Sequence, residues 1–363
     1  MRRSTMNRQG AVMTETVDHY VTHAPITLSF IVPAYNVAEY VGRCISSLLS
    51  SQAPDVEIIV VNDGSTDETG LIADEYALAN PGLLKVIHQS NRGHGGAINT
   101  GMAHAGGAYI KVIDADDWVD PSSLITVLTT LREQLRQSSA VDLVVTNYVY
   151  EKQNKHFKHV VRYDNVMPTG RTLSWDDIGT FRTNQYLIMH SLIFKASVLR
   201  QSHMQLPDHM FYVDFIFSYQ PLPHTSTLLY VDTNFYRYFT GRQGQSVETK
   251  TMVSRVSQLM LVNRIMTQLT PEPDSVPTGL YRYMIHYLSI NCVITSTFLI
   301  LSKKQENYQM KQHLWQQLEN RSSIIAEDVR SATLCRLINI PGQTGRLVVR
   351  FGYRIAEAAI GFN

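Results

Sequence analysis

Two stretches near the start of the chain decide the fold: LSFIVPAYN at residues 28–36 and VEIIVVNDGSTD at residues 56–67. Each begins with a short apolar run and ends in polar, turn-forming residues. Between them, apolar residues recur three and four positions apart from Val37 to Leu49, which is the spacing of one helix face. Strand, helix and strand in this order predict a parallel β-sheet with helices on both faces.

The alternation continues along the next part of the chain. Apolar runs at 83–88, 108–113 and 141–150 predict three further strands, and Pro121 opens a helix. Beyond residue 150 the alternation of predicted strands and helices is no longer regular. Two short strands are predicted at 228–231 and 235–239, and the sequence is helical in pattern from Met252 onward. The prediction is an α/β domain followed by a helical region.

Composition limits the class of protein. The chain has 363 residues, of which 44% are hydrophobic and 17% charged, and this excludes a wholly disordered or collagen-like chain. Lys and Arg total 32 against 31 acidic residues, so the overall charge gives no argument for nucleic acid as a partner. Cys44, Cys292 and Cys335 lie far apart, which predicts no disulfide framework and suits a reducing cytoplasm.

Two segments raise the question of membrane targeting. Residues 1–24 predict a loose polar tail and no signal peptide, because Glu15 and Asp18 interrupt any apolar run. Residues 283–302 are long enough for a membrane span and contain no Asp, Glu, Lys or Arg. Polar side chains within this stretch instead predict a buried helix within a bundle: His286, Ser289, Asn291, Thr295, Ser296 and Thr297.

The strongest local signal is DADD at residues 114–117, directly after the predicted strand at 108–113. Three carboxylates in four residues repel one another, and a hard cation such as Mg²⁺ or Mn²⁺ relieves that repulsion and completes its shell with phosphate oxygens. The alternative is an acidic turn that caps the helix at Pro121. Both interpretations fit these residues.

Polar residues at other strand ends point to the same edge of the sheet, where ligands of such folds bind. Asp63 follows the second strand and is placed to accept hydrogen bonds from a base or a sugar, whereas Ser65 and Asp67 suit the cap of the next helix. The glycines at 93, 95 and 96 allow close approach of backbone to a diphosphate. The G-x-G-x-x-G and P-loop fingerprints are absent.

Four motifs in order carry a family resemblance: PAYN at 33–36, VNDGSTD at 61–67, NRG at 91–93 with NTG at 99–101, and DADD at 114–117. Together they resemble family 2 glycosyltransferases of bacterial type, which are inverting enzymes of the GT-A fold. The resemblance is clear over residues 26–137 and looser to 247. It implies a Rossmann-like mixed sheet flanked by helices, with an appended C-terminal helical region.

The domain organisation follows from this resemblance. Residues 1–25 are the predicted tail, and residues 26–250 are the predicted GT-A domain. That domain divides into a nucleotide-sugar half, 26–140, and an acceptor half, 141–250. Residues 251–363 form the predicted helical region.

The resemblance also implies site residues. Pro33, Ala34 and Tyr35 would line the base, and Asp116 would hold Mn²⁺ or Mg²⁺ on the diphosphate. The full implied donor-binding set is Pro33, Ala34, Tyr35, Asp63, Arg92, Gly93, Asp114, Ala115, Asp116 and Arg242. The implied acceptor-side or supporting residues are Asp117, His190, Gln245 and Ser246.

An inverting transfer needs a base, which the family draws from a Glu-Asp pair in the second half. The matching stretch is LPDHMFYVDFI at 206–216, where Asp214 aligns with the Asp and Val213 replaces the Glu. Asp214 is therefore the implied base, with a helix N-terminal carboxylate as the alternative. His190 has a structural hydrogen-bonding alternative. Arg242, in the loop at 239–246, is either a diphosphate clamp or part of a polar connector.

The last segment is basic and amphipathic. Residues 330–363 carry a net charge of +4, with Arg346, Arg350 and Arg354 in a stripe beside an apolar face. Such a helix suits an anionic lipid surface, the body of the protein or a second subunit, and the sequence leaves these open.

The predicted function is metal-dependent hexosyl or N-acetylhexosaminyl transfer from a nucleotide-sugar donor, UDP-linked as first choice. The acceptor would be a glycan, a lipid-linked glycan or a glycoprotein in the synthesis of surface polysaccharide or glycan. The predicted location is the cytoplasm, including the inner face of the cell membrane, with peripheral membrane contact or homo-oligomer formation through the C-terminal helices and no nucleic-acid partner. The alternatives are a nucleotidyltransferase of similar fold and a catalytically silent nucleotide-sugar-binding subunit.

Overall fold

The predicted strands assemble into one mixed β-sheet in a computed structural model that describes residues 25–152, 158–241 and 248–360. The strands are β1 (Leu28–Ala34), β2 (Val56–Asn62), β3 (Leu84–His88), β4 (Tyr109–Val112), β5 (Trp118–Val119), β6 (Leu143–Lys152), β7 (His159–Val161), β8 (Leu192–Lys195) and β9 (Leu228–Thr240). Their order across the sheet is β3-β2-β1-β4-β8-β6-β9-β5, and β7 pairs with β6. The predicted GT-A type of sheet is present.

Helices flank this sheet and then follow it along the chain. They are α1 (Ala38–Leu49), α2 (Thr69–Ala79), α3 (Gly93–His104), α4 (Pro121–Arg136), α5 (Ala196–Gln201), α6 (Val213–Tyr219), α7 (Thr249–Ser254), α8 (Val256–Leu269), α9 (Thr278–Leu301), α10 (Gln305–Arg321), α11 (Ser323–Ser331), α12 (Thr333–Ile338) and α13 (Gly342–Ile360). The predicted helix face between Val37 and Leu49 is the buried face of α1. The division at residue 250 remains a prediction, and nearly all of the predicted tail, 1–25, lies outside the described residues.

The first four strands are parallel, so their carboxyl ends share one edge of the sheet. β1 continues through Pro33 to Ala34. Pairing of β1 with β4 ends at Ile31, so Pro33 lies where β1 keeps only β2 as a neighbour. A proline is tolerated at such a position, since it can donate no hydrogen bond to a ladder.

The second half of the sheet joins the first through β8, which is antiparallel to both β4 and β6. Here the two short strands predicted at 228–231 and 235–239 form one continuous strand, β9, parallel to β6. The register shifts around Asn147. The Asn147 side chain donates hydrogen bonds to Asp232 (2.6 Å) and Asn234 (3.1 Å), which accounts for the polar break in the sequence of β9.

The helices after the sheet pack around α9, which contacts α8, α10, α11, α12 and α13. Within the described residues, α9 is the helix that is long and apolar enough to cross a membrane, and 67% of its most apolar window is buried by neighbouring helices. Two of its polar residues accept hydrogen bonds from neighbouring helices: Asn291 from Asn263 at 2.9 Å and Ser296 from Trp315 at 3.3 Å. These contacts agree with the predicted bundle helix.

Candidate active site

The acidic motif lies between β4 and β5, at the shared carboxyl edge of the parallel strands. Each carboxylate oxygen of Asp114 faces a histidine. His94 Nε2, from the first turn of α3, lies 2.8 Å from Asp114 Oδ1, and His190 Nε2 lies 3.4 Å from Asp114 Oδ2. The fold thus brings together residues from α3, the loop after β4 and the turn before β8.

Asp117 is fully buried beneath this arrangement. Its carboxylate accepts hydrogen bonds from the Tyr236 hydroxyl (2.6 Å) and the Phe239 backbone N–H (2.7 Å), both in β9. The Tyr236 hydroxyl also accepts from the backbone N–H of Asp114 at 3.2 Å. Asp117 therefore ties the acidic motif to β9.

The acidic motif does not cap the helix that follows it. Asp120 is the N-cap of α4, where its carboxylate accepts from the Ser123 backbone N–H at 3.0 Å. Because Asp120 performs this role, the capping alternative for residues 114–117 loses its support.

Charge at the site is unevenly distributed. Burial would raise the pKa of the Asp114 carboxyl, but the hydrogen bonds and charges of His94 and His190 outweigh it and lower that pKa. Burial would lower the pKa of His94, yet Asp114 raises it. For Asp117, burial and the neighbouring Asp114 charge raise the pKa well above its usual range, against the hydrogen bonds from Tyr236 and Phe239. The two histidines therefore offset part of the repulsion among the carboxylates at 114–117, a role that the sequence analysis assigned to a cation.

A divalent cation nevertheless fits the residues present. One ligand atom each from Asp114, Asp117 and His190 lie within 4.8 Å of one another. His190 is buried, and its Nδ1 has no hydrogen-bond partner among the described residues. Carboxylate and imidazole groups suit Mn²⁺. Asp116, the ligand implied by the resemblance, lies outside this set, and its backbone carbonyl accepts from Arg43 at 2.9 Å.

A buried lysine lies behind the site. Lys111 of β4 is 0% exposed and donates to the carbonyl oxygens of Met189 (2.8 Å), His190 (2.6 Å) and Leu192 (3.1 Å). Burial lowers the pKa of this ammonium group well below its usual range, although Asp114 and Asp117 oppose that shift. Lys111 thereby holds the turn that places His190 beside Asp114.

The implied donor residues lie along the same edge. Pro33 and Ala34 are buried at the end of β1, and Tyr35 beyond them is 50% exposed. The Asp63 backbone N–H donates to the Ala34 carbonyl at 2.9 Å. Asp63 Oδ1 accepts from Gln89 (2.6 Å) and from the Arg92 backbone N–H (2.9 Å), so its carboxylate shapes the turn before α3.

That turn packs against the loop before α6. The Arg92 guanidinium binds Asp208 through Nε (2.9 Å) and Nη2 (3.2 Å), and the His209 backbone N–H donates to the Arg92 carbonyl at 2.7 Å. Gly93 has φ +76°, and a Cβ there would lie 2.9 Å from the His209 backbone. Only glycine tolerates both the positive φ and the close approach of the His209 backbone.

Asp214 lies in the first turn of α6, after Tyr212 in left-handed conformation. Burial raises the pKa of the Asp214 carboxyl and Asp114 adds to the rise, whereas His190 and His94 oppose it. Asp214 therefore lies within electrostatic reach of the acidic motif. The positions of Arg242, Gln245 and Ser246 fall outside the described residues.

The sequence analysis assigned no role to four residues of the site: His94, Lys111, Asp208 and Tyr236. For two of them the sequence contains an unusual feature that could have indicated a role. Lys111 is a charge inside the apolar run YIKVI at 109–113, and His94 interrupts a glycine-rich turn. Asp208 and Tyr236 lie in stretches that show no such anomaly.

Comparison with known proteins finds a family match for part of the chain. The family described as Glycosyl transferase family 2 matches residues 29–201, which run from within β1 through β8 and contain the acidic motif. These residues, a little under half of the chain, are similar to glycosyltransferase family 2. EpsH of Bacillus subtilis (strain 168), named as a glycosyltransferase, is 35% identical over 155 residues, covering 43% of this chain and 39% of EpsH. The chain thus spans less than half of the length of EpsH.

Two solved structures share the fold of this chain. Residues 1–349 of S. aureus TarS in complex with UDP-GlcNAc align with a TM-score of 0.64 and 18% identity, covering 92% of this chain and 91% of that one. The mannosyltransferase PcManGT from Pyrobaculum calidifontis, in complex with GDP-Man and Mn²⁺, aligns with a TM-score of 0.50 and 14% identity, covering 91% and 89%. At these identities the likeness shows the fold alone.

Proposed function

We propose that this glycosyltransferase moves one hexosyl or N-acetylhexosaminyl group, with inversion, from a nucleotide-diphosphate donor to a hydroxyl of a glycan, lipid-linked or glycoprotein acceptor in surface glycan synthesis. The observation that carries the proposal is the meeting of Asp114, His94, His190 and Asp117 at the carboxyl edge of a family 2 sheet. The complexes of TarS with UDP-GlcNAc and UDP make UDP the first nucleotide to test.

The nucleoside would lie on Pro33, Ala34 and Tyr35, with Asp63 at the base or ribose. The half-exposed Tyr35 ring offers an apolar surface to the base. The Arg92 guanidinium, now paired with the partly exposed Asp208, would exchange that carboxylate for the donor diphosphate. The contact costs little to break, because ion pairs open to solvent are weak.

The acidic motif would bind Mn²⁺ or Mg²⁺ on the diphosphate. The resemblance assigns the ligand to Asp116, and the geometry offers Asp114, Asp117 and His190 beside it. The cation would supply charge neutralisation to the departing nucleoside diphosphate. Electron paramagnetic resonance of Mn²⁺ with UDP would separate the two ligand sets, since Asp116→Asn abolishes binding in the first and His190→Gln in the second. Retention of Mn²⁺ by both variants would contradict the proposed site.

Asp214 would act as base. It takes the proton of the acceptor hydroxyl while the oxygen forms a bond to the anomeric carbon and the bond from that carbon to the diphosphate breaks. A raised pKa suits this role, because a carboxylate of higher pKa accepts a proton more readily. His190 and His94 oppose this rise in the pKa of Asp214.

A thermal-shift panel of UDP-, GDP- and dTDP-sugars with Mn²⁺ tests the donor, and analysis of the released nucleotide tests the reaction. We expect free nucleoside diphosphate, whereas pyrophosphate would identify a nucleotidyltransferase. Asp214→Asn should lose transfer and keep donor binding. Asp274→Asn, at an exposed position of the helical region, is the matched control. Donor binding without turnover in the unmodified chain, across an acceptor panel, would favour a silent binding subunit.

The proposed location is the cytoplasm. Cys44, Cys292 and Cys335 are all buried free thiols, as expected of a protein in a reducing compartment. Digestion of the chain by an added protease in permeabilised cells but not in intact cells would support this location, and digestion in intact cells would contradict it.

A further inference from the structure

The last helix, α13, presents its apolar side outward. Leu347, Phe351 and Ile355 recur four positions apart, and they are 61%, 67% and 55% exposed. Apolar side chains at this spacing usually face the core of a protein. In α13 they face away from it.

The opposite side of α13 packs against the body of the protein, where Val349 and Tyr353 contact the hydrophobic core. The Arg346 guanidinium lies 4.3 Å from the centroid of the Tyr308 ring, and Arg350 donates to the Tyr308 hydroxyl. At the next turn Thr249 lies 2.8 Å from the Tyr353 hydroxyl and donates to Glu357 at 2.6 Å. These contacts hold the helix with its apolar side toward solvent.

Exposed apolar side chains also occur on α12, which contacts α13, and in the turn between the two helices. We call these exposed side chains together the C-terminal apolar face. It consists of Leu334, Leu337, Ile340, Leu347, Val348, Phe351 and Ile355, each more than one third exposed. Clusters of exposed apolar side chains mark sites of contact with another molecule or a membrane.

The segment that carries this face is basic. Residues 332–355 contain four arginines, Arg336, Arg346, Arg350 and Arg354, and no Asp or Glu, and Glu357 follows two positions later. Arg336 and Arg354 are exposed. A second copy of the chain, docked face to face, would bring two such arginine sets together. Anionic headgroups would instead neutralise the arginines while the acyl boundary buries the apolar side chains.

We propose that the C-terminal apolar face docks on the surface of an anionic lipid bilayer. The helix would lie in the plane of the interface, with Leu347 and Phe351 inserted and Arg336 and Arg354 among the headgroups. The inference goes beyond the proposed transfer reaction and does not depend on the donor or the cation.

Flotation of the full chain with lipid vesicles tests the proposal. We expect binding to vesicles of phosphatidylcholine mixed with phosphatidylglycerol, weaker binding to phosphatidylcholine alone, and a loss of binding at high salt. The double variant Leu347→Glu/Phe351→Glu should lower the bound fraction at least about tenfold. Leu78→Glu, at an 84% exposed position on α2, is the matched control and should bind like the unmodified chain.

A second variant separates the charge from the apolar contact. Arg336→Gln/Arg354→Gln should weaken binding to anionic vesicles and leave binding to phosphatidylcholine unchanged. Failure of the unmodified chain to bind anionic vesicles would overturn the proposal, as would equal, salt-independent binding to both vesicle types. A concentration-dependent dimer in light scattering that Leu347→Glu/Phe351→Glu dissociates would instead assign the face to a second copy. Thermal melts of each variant verify folding.

Discussion

His94 Nε2 lies 2.8 Å from Asp114 Oδ1, and this contact joins the first turn of α3 to the acidic motif after β4. Since the opposite oxygen of Asp114 faces His190, one carboxylate connects α3 with the turn before β8. His94 also reaches Asp214 electrostatically, because its charge opposes the rise that burial causes in the pKa of that carboxyl.

We predict that His94→Gln moves the acid limb of the pH profile of kcat/KM to higher pH. Burial raises the pKa of the Asp214 carboxyl, and protonated His94 opposes the rise. Loss of that cation lets the pKa rise further, so the proposed base ionises only at higher pH. His104→Gln, at an exposed position on the same helix, should leave the profile unchanged. A shift to lower pH would contradict both this electrostatic account and the assignment of Asp214.

We predict that Lys111→Met destabilises the protein by about 3 kcal/mol, because it leaves three buried carbonyl groups without their donor. Urea unfolding measures the loss. Transfer should also fall, since the turn that carries His190 loses its anchor. Lys304→Met, at an exposed position in the helical region, is the control and should change the free energy of unfolding by less than about 0.5 kcal/mol. Equal stability of the two variants would remove the anchoring role of Lys111.

We predict that Asp55→Asn lowers the free energy of unfolding by about 1–2 kcal/mol at pH 7. Hydrogen bonds from Arg132 and Thr27 lower the pKa of Asp55 to about 2, against the opposing effect of burial. A lowered pKa stabilises the fold above the unfolded-state pKa of about 3.9, and this stabilisation is lost as the pH falls toward 2.

Urea unfolding at several pH values checks this prediction for Asp55. The difference between Asp55→Asn and the unmodified chain should be constant near neutral pH and should shrink below about pH 4. Asp74→Asn, which breaks the more exposed contact with His88, should show a much smaller difference. A difference for Asp55→Asn that grows on acidification would have the wrong sign for this ion pair.

We predict that Gly93→Ala destabilises the protein by more than Gly82→Ala. Both glycines have positive φ, +76° and +84°, so the conformational cost to alanine is shared. A Cβ at Gly93 would lie 2.9 Å from the His209 backbone, whereas nothing lies within 4 Å of a Cβ at Gly82. The stability loss of Gly93→Ala should exceed that of Gly82→Ala by about 1–3 kcal/mol, and this difference measures the cost of disturbing the packing between the turn before α3 and the loop before α6. Equal thermal stability of the two variants would show that this loop moves freely.

The sequence predicted the parallel half of the sheet well, because each strand there is a continuous apolar run followed by a helix of regular periodicity. It divided β9 into two strands, because Asp232 and Asn234 resemble a turn in sequence and serve as partners of Asn147 in the fold. In the site, DADD stood out through its local charge density. Tyr236 did not, since its role depends on Asp117, which lies 119 positions away.

The sequence by itself determined the alternation of strands and helices, the carboxylates at strand ends and the family motifs, because these are local patterns of side-chain chemistry and spacing. The tertiary structure decided which groups meet: the histidines on both sides of Asp114, the lysine beneath the turn at residues 189–192, and the outward direction of the apolar side of α13. Such contacts depend on packing between distant segments. Periodicity shows that a helix has an apolar side but cannot show what that side faces.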